Sequence, residues 1–178
     1  TGDDKFYNKI LSLNSGHAGS LFALFLKKFS TTENKLTYRN SEDLENVLKY
    51  CDKKQRSAFL INIWDLVLNV AFYDIKATEE QLDFYLSYID EEFLQNALIK
   101  IATFLQSEGF FSLAEKYLVL AIKNDKQNAS LYWQLIQIKT HSKNESELIT
   151  SSVKISEMED WATVLSYASD EQTEKYAK

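Results

Sequence analysis

The chain has 178 residues, of which 45% are apolar and 13% aromatic, with no proline, four glycines and one cysteine. This excludes a disordered chain, and at this length roughly 70% of the unfolded surface can be buried, so no disulfide or structural metal is needed to hold a core. A net charge of −6 without a long basic stripe argues against gripping nucleic-acid phosphates. Cys51, His17 and His141 leave little with which to bind zinc. The most apolar stretch, Ala58 to Tyr73, is interrupted by Asn62, Asp65 and Asn69 and is too short to cross a bilayer. The chain therefore reads as soluble, intracellular and cytoplasmic, without nucleic-acid or membrane partners, and its opening Thr-Gly suggests a piece of a longer protein.

In chain order, Phe6, Ile10, Leu11 and Leu13 mark a short helix stopped by Asn14-Ser15-Gly16. Leu21, Phe22, Phe25, Leu26 and Phe29 predict a second helix from Ala18, with Lys27 and Lys28 near its C-terminal end, where cations suit the macrodipole. Residues 30–40 are polar and aperiodic and read as a loop. Ser41, followed by Glu42 and Asp43, opens a helix carrying Leu44, Val47, Leu48 and Cys51 on one side, the cysteine being read as a small core residue. Arg56 to Tyr73 is the most apolar helix and the expected centre of the N-terminal half. The pair Thr78-x-x-Gln81 predicts a capping box, opening a helix on which Leu82, Tyr85, Leu86 and Ile89 lie together. Asp90, with Glu91 and Glu92 behind it, caps the next helix. Between Asp74 and Glu92 seven acids stand against one base, Lys76, and carboxylates at helix N-termini explain most of them without catalysis.

Two helices follow, Glu91 to Glu108 and Ser112 to Asn124, broken at Gly109. Leu98, Ile101, Ala102 and Leu105 line one face of the first, and Ala114, Leu118 and Ala121 one face of the second. Asn128 then opens a helix from Ala129 to about His141, Asn144-x-x-Glu147 caps its partner, and Ser156-x-x-Glu159 and Ser169-x-x-Gln172 open a last pair, Met158 to Ala168 and Asp170 to Ala177.

The Leu98 to Asn124 hairpin resembles a tetratricopeptide (TPR) unit in its order of bulky, small and glycine positions. Displacing Leu98, Ile101, Ala102, Ala114 and Ala121 by the family's period of about 34 residues reaches Tyr132, Leu135, Ile136, Leu148 and Ile155, all apolar. The second copy departs from the pattern where Gly109 maps to Lys143 and Leu118 to Ser152. The resemblance covers Phe93 to Ile155. It implies an all-α fold of antiparallel helix pairs stacked as a TPR-like right-handed superhelix over 56–178, behind an irregular helical part over 1–55, the whole being one continuous domain. It also implies that Ala102, Ala114 and Ala121 are buried between helices. First helices would line a concave groove, here Asn96, Ile99, Thr103 and Gln106 followed by Ser130, Trp133, Gln134, Gln137 and His141. Trp133 would be its exposed aromatic anchor and Tyr132 would be buried. Chaperone-binding members clamp a C-terminal carboxylate with Lys, Asn and Arg; Ile99, Thr103 and Gln134 in those places argue against such a ligand.

No Gly-rich phosphate loop, Gly-x-Ser-x-Gly or His-Glu-x-x-His occurs, and no cofactor or metal is expected. The leading expectation is a non-enzymatic scaffold that binds a partner protein or extended peptide in its groove. One alternative is a regulatory or substrate-docking domain of a larger enzyme. Another is an all-α enzyme with a site around Asp65, Tyr85 and the acidic segment.

Overall fold

The computed structural model describes residues 2–31, 41–68 and 75–176, apart from the side chains of residues 2–4, 30, 31, 41 and 65. The described residues form eleven α-helices and one short 3-10 helix, with no strand, in agreement with the expected all-α class. None of these helices is long and apolar enough to cross a membrane. Most of the loop expected over 30–40, and residues 69–73 of the expected apolar helix, lie outside the described residues. The chain divides into two compact units, Thr1–Phe93 and Leu94–Lys178.

In the first unit α1 (Gly2–Leu13) packs on α2 (Ala18–Thr31), α2 on α3 (Ser41–Leu48), and α4 (Lys53–Leu68) on α5 (Ile75–Leu86). The helix-period aromatics of α2 become a ridge of rings. Phe22 stacks on Phe59 of α4 with centroids 4.0 Å apart, and Phe29 meets Tyr85 of α5 edge-on at 6.5 Å. Around this ridge α4 buries Leu60, Ile63, Trp64, Val67 and Leu68, leaving Asn62 and Leu66 exposed. Its start is fixed by reciprocal bonds: Gln55 N–H donates to Asp52 Oδ1 (2.8 Å) and Asp52 N–H to Gln55 Oε1 (3.2 Å).

Two local expectations for this unit need correction. Thr78 and Gln81 are not a capping box: α5 has already begun at Ile75, and both residues are fully buried inside it. Cys51 is only half-buried, its Sγ donating to Val47 O (3.2 Å). Burial raises its pKa above the ordinary thiol value; Arg56 works against this rise and Asp52 with it. At the start of α4, Arg56 Nη1 lies 3.6 Å from Asp90 Oδ1 and Lys53 Nζ 3.5 Å from Glu92 Oε1.

The second unit takes up α6 (Glu91–Ser107), whose first turn belongs to the first, and continues with α7 (Phe111–Asn124), α8 (Ala129–Lys139) and α9 (Glu145–Thr150). A 3-10 helix (Ile155–Glu157), α10 (Glu159–Tyr167) and α11 (Asp170–Tyr176) complete it. Gly109, at φ 85°, ends α6: its N–H reaches Gln106 O (2.9 Å) and the Phe110 N–H reaches Leu105 O (2.8 Å). This is a Schellman closure, for which a left-handed residue is required. The end of α8 is closed in the same way with His141 in the glycine's role at φ 57°, as Ser142 N–H meets Gln137 O (2.8 Å) and His141 N–H meets Ile138 O (3.0 Å). The structural counterpart of Gly109 is therefore His141, two positions before the Lys143 that the repeat period indicates.

Asn128 caps α8 by accepting from Ser130 N–H, and Asn144 caps α9 by accepting from Glu147 N–H (3.0 Å). Ser169 and Gln172 bond reciprocally at the start of α11 (3.0 and 3.2 Å). Ser156 is not a cap: it lies within the 3-10 helix, and α10 begins after Met158 without a side-chain cap. Ala102, Ala114 and Ala121 have no exposed surface. α8 packs on both α7 and α10 and is buried on most sides.

Ala114→Leu should overpack this closed contact and destabilise the chain by about 1–3 kcal/mol, read from the denaturant midpoint. Gly109→Ala should cost about 1 kcal/mol from backbone strain alone, since an added Cβ would make no closer contact than 3.4 Å to the flexible Lys143 chain and 4.0 Å to the Phe111 ring.

Candidate functional site

The nine expected groove residues separate into three groups. Thr103, Gln106, Gln134 and Gln137 converge between α6 and α8, where their polar groups engage one another. Gln134 Nε2 donates to Thr103 Oγ1 (3.0 Å) and to Gln106 Oε1 (3.0 Å). Gln106 Nε2 donates to Gln137 Oε1 (3.2 Å) and to Ser142 O (2.9 Å). Gln106 and Gln137 are buried. These bonds tie the two helices together, and the amide donors of Gln106 and Gln134 are already engaged in them.

Asn96 is exposed and Ile99 half-buried earlier along α6, and His141 is exposed with its ring stacked on Phe111 at 5.0 Å. The third group, Ser130 and Trp133, lies under α11. Trp133 is only 6% exposed while its neighbour Tyr132 is half-buried, the reverse of the expected order. The cause is the last helix pair, expected from the sequence but lying across this side of α8. Tyr176 of α11 stacks on Trp133 with centroids 4.6 Å apart, and Trp161 of α10 lies at 6.0 Å. The indole N–H of Trp133 donates to Glu145 Oε1 (3.2 Å), and Lys175 Nζ stands 3.3 Å from the other oxygen of that carboxylate.

Beside this aromatic cluster is a half-open cleft of ≈ 320 Å³. Trp133, Leu148, Trp161 and Tyr176 are among its lining side chains, and Ile149 and Val153 stand at its mouth, 61% and 42% exposed. Among the described residues Glu145 and Lys175, already paired, are its only charged groups. The sequence reading missed the cleft because its mouth falls where the repeat pattern is broken, next to Ser152. The signal available was a pair of apolar residues, Ile149 off the buried face of a short helix and Val153 just past its end.

α11 itself is lightly held, Tyr176 being its one buried residue. Burying one ring of that size stabilises by about 2 kcal/mol. The exposed bonds from Gln172 and Lys175 add roughly 0.2–1 kcal/mol each.

Of the alternative constellation, Tyr85 is fully buried against the rings of Phe29 and Phe84, whereas Asp83, Glu91 and Glu92 are exposed. The Asp65 side chain and Asp74 lie outside the described residues. Among the described residues no group of three His, Cys, Asp or Glu side chains could hold a metal ion.

Trp133→Ala should act first on folding, lowering stability by about 3–5 kcal/mol in denaturant titration, as expected when a large aromatic is removed from a packed site. A change within 0.5 kcal/mol would return Trp133 to the surface role expected from the repeat. In comparisons with known proteins, no family model matches the chain, and no curated protein or solved structure does.

Proposed function

We propose that the chain is a protein–protein interaction module, built in its second unit as a TPR-like array, with the aromatic-floored cleft as its binding site. The neighbours of α8 support the array. It bonds to α6 and packs on α7 and α10, as a first helix does when each repeat covers only the next. Both hairpins also end their first helix in the same left-handed closure.

The observation that carries the binding reading is the exposure of Ile149 and Val153 at the mouth of an apolar cleft. Placed there they add little to the core and leave aliphatic surface against water, whereas a partner side chain entering the cleft would bury both. The cleft has room for one bulky apolar side chain of a partner segment, with the Glu145–Lys175 pair at its edge to orient the polar backbone.

Selection of a displayed peptide library on the full chain tests this. Enriched peptides should share one bulky aliphatic or aromatic position. The double variant Ile149→Asp, Val153→Asp should keep its fold and bind those peptides at least about tenfold more weakly, because exposed substitutions cost little stability while an anchor contact dominates affinity. Equal binding to the variant, or no enrichment over an unrelated helical protein, removes the reading.

A further inference from the structure

We propose that α11 is a displaceable cap, and that the seat beneath it takes a helical segment of a partner protein carrying an aromatic residue where Tyr176 now lies. This deepens the interaction reading and rests on it. The seat consists of Ser130 and Trp133 on α8 and Glu145 on α9. α11 meets it through one ring and three polar ties: Tyr176 on Trp133, Gln172 Nε2 to Ser130 Oγ (3.2 Å), the Tyr176 hydroxyl against Ser130 Oγ (3.3 Å), and Lys175 to Glu145 (3.3 Å).

Lifting α11 strands no polar group. Ser130 is exposed, and Glu145 keeps the indole N–H of Trp133 through its other oxygen. What it uncovers is the face of a tryptophan, the kind of surface that anchors partners. The helix is also self-sufficient at its start. The Ser169–Gln172 box caps it locally, and Ala168 N–H closes α10 on Val164 O (2.9 Å), so the connection between the two helices carries the hinge.

The occupant's chemistry is read from the segment already seated. Gln172 and Tyr176 stand four residues apart and so project from one helical face. A partner helix with an aromatic residue, and an amide or hydroxyl donor one turn before it, reproduces the ring contact and the Gln172 bond, and a tyrosine there restores the hydroxyl contact to Ser130 as well. Because α11 is tethered, it competes with any such segment, and the apparent affinity falls with the fraction of chains in which the seat is open.

The test uses the full chain and a synthetic peptide of residues 168–178, read by the indole N–H resonance of Trp133 in nitrogen–proton correlation spectra. Tyr176→Ala should unfold cooperatively, show a displaced indole resonance, and bind the peptide saturably with the resonance returning towards its original position. The unsubstituted chain and Tyr176→Phe should bind the peptide at least about tenfold more weakly, since their seats are filled. Equal binding to all three chains, or none to Tyr176→Ala, overturns the proposal. Loss of cooperative unfolding in Tyr176→Ala overturns it as well, because a cap must be dispensable to the core. Concentration-dependent dimers of the unsubstituted chain would assign the seat to a second copy and overturn the partner assignment. The peptide reports on the seat whether or not the library yields a ligand, so failure here is separable from failure of the interaction reading.

Discussion

A helix of eleven residues with almost no polar face has to be enclosed, and the second unit is arranged around that requirement. α8 leaves only Ser130 and Lys139 exposed. So short a helix gains little from its own hydrogen-bond ladder and exists because its neighbours cover it. α6 meets it through amides, α7 and α10 pack along it with the Lys139–Asp160 pair at one end, and α11 adds one stacked ring and two polar contacts to Ser130. Binding at this unit, as proposed, would thus be tied to its folding. Trp133 is at once the centre of a buried cluster with Ile136, Leu148, Val164 and Tyr176 and part of the cleft wall. The exposed apolar surface is displaced outward, to Ile149 and Val153.

The first unit solves its packing differently. Its core depends on stacked and edge-on rings from α2, α4 and α5, arrangements that add to plain area burial. The ion pairs around it, Lys28 with Asp43, Arg56 with Asp90 and Lys53 with Glu92, are partly or largely exposed. Such pairs contribute about 0–1 kcal/mol each, so they fix local orientation more than they hold the unit together. Two members of the acidic run, Asp90 and Glu92, pair with Arg56 and Lys53 at the basic start of α4.

How much of this could be read beforehand depends on whether the controlling interaction is local. Gly109, the three buried alanines and the caps at Asn128, Asn144 and Ser169 were legible because a left-handed closure, a close helix approach or an N-terminal amide each demands particular residue types at short range. The box Asp52-x-x-Gln55 was equally local and was passed over. Thr78-x-x-Gln81 misled because the same spacing inside a helix places two residues on a buried face. Trp133 and the amides failed for a non-local reason. Residues off an apolar stripe are taken as open surface, but the stripe does not show that a third helix pair will close over one of them, or that four polar side chains will meet their own kind across two helices.

That meeting of side chains has a mechanical consequence. Apolar seams let helices slide, because one methylene replaces another at little cost, whereas a directional bond survives only in one alignment. Moving α8 along α6 by a single turn, about 5.4 Å, would break the bonds among Thr103, Gln106, Gln134 and Gln137 together and leave the carbonyl of Ser142 without its donor. The amides therefore act as a key cut for one register, so that the helices bearing Trp133 and the cleft stay indexed to the hairpin before them while α11 comes and goes.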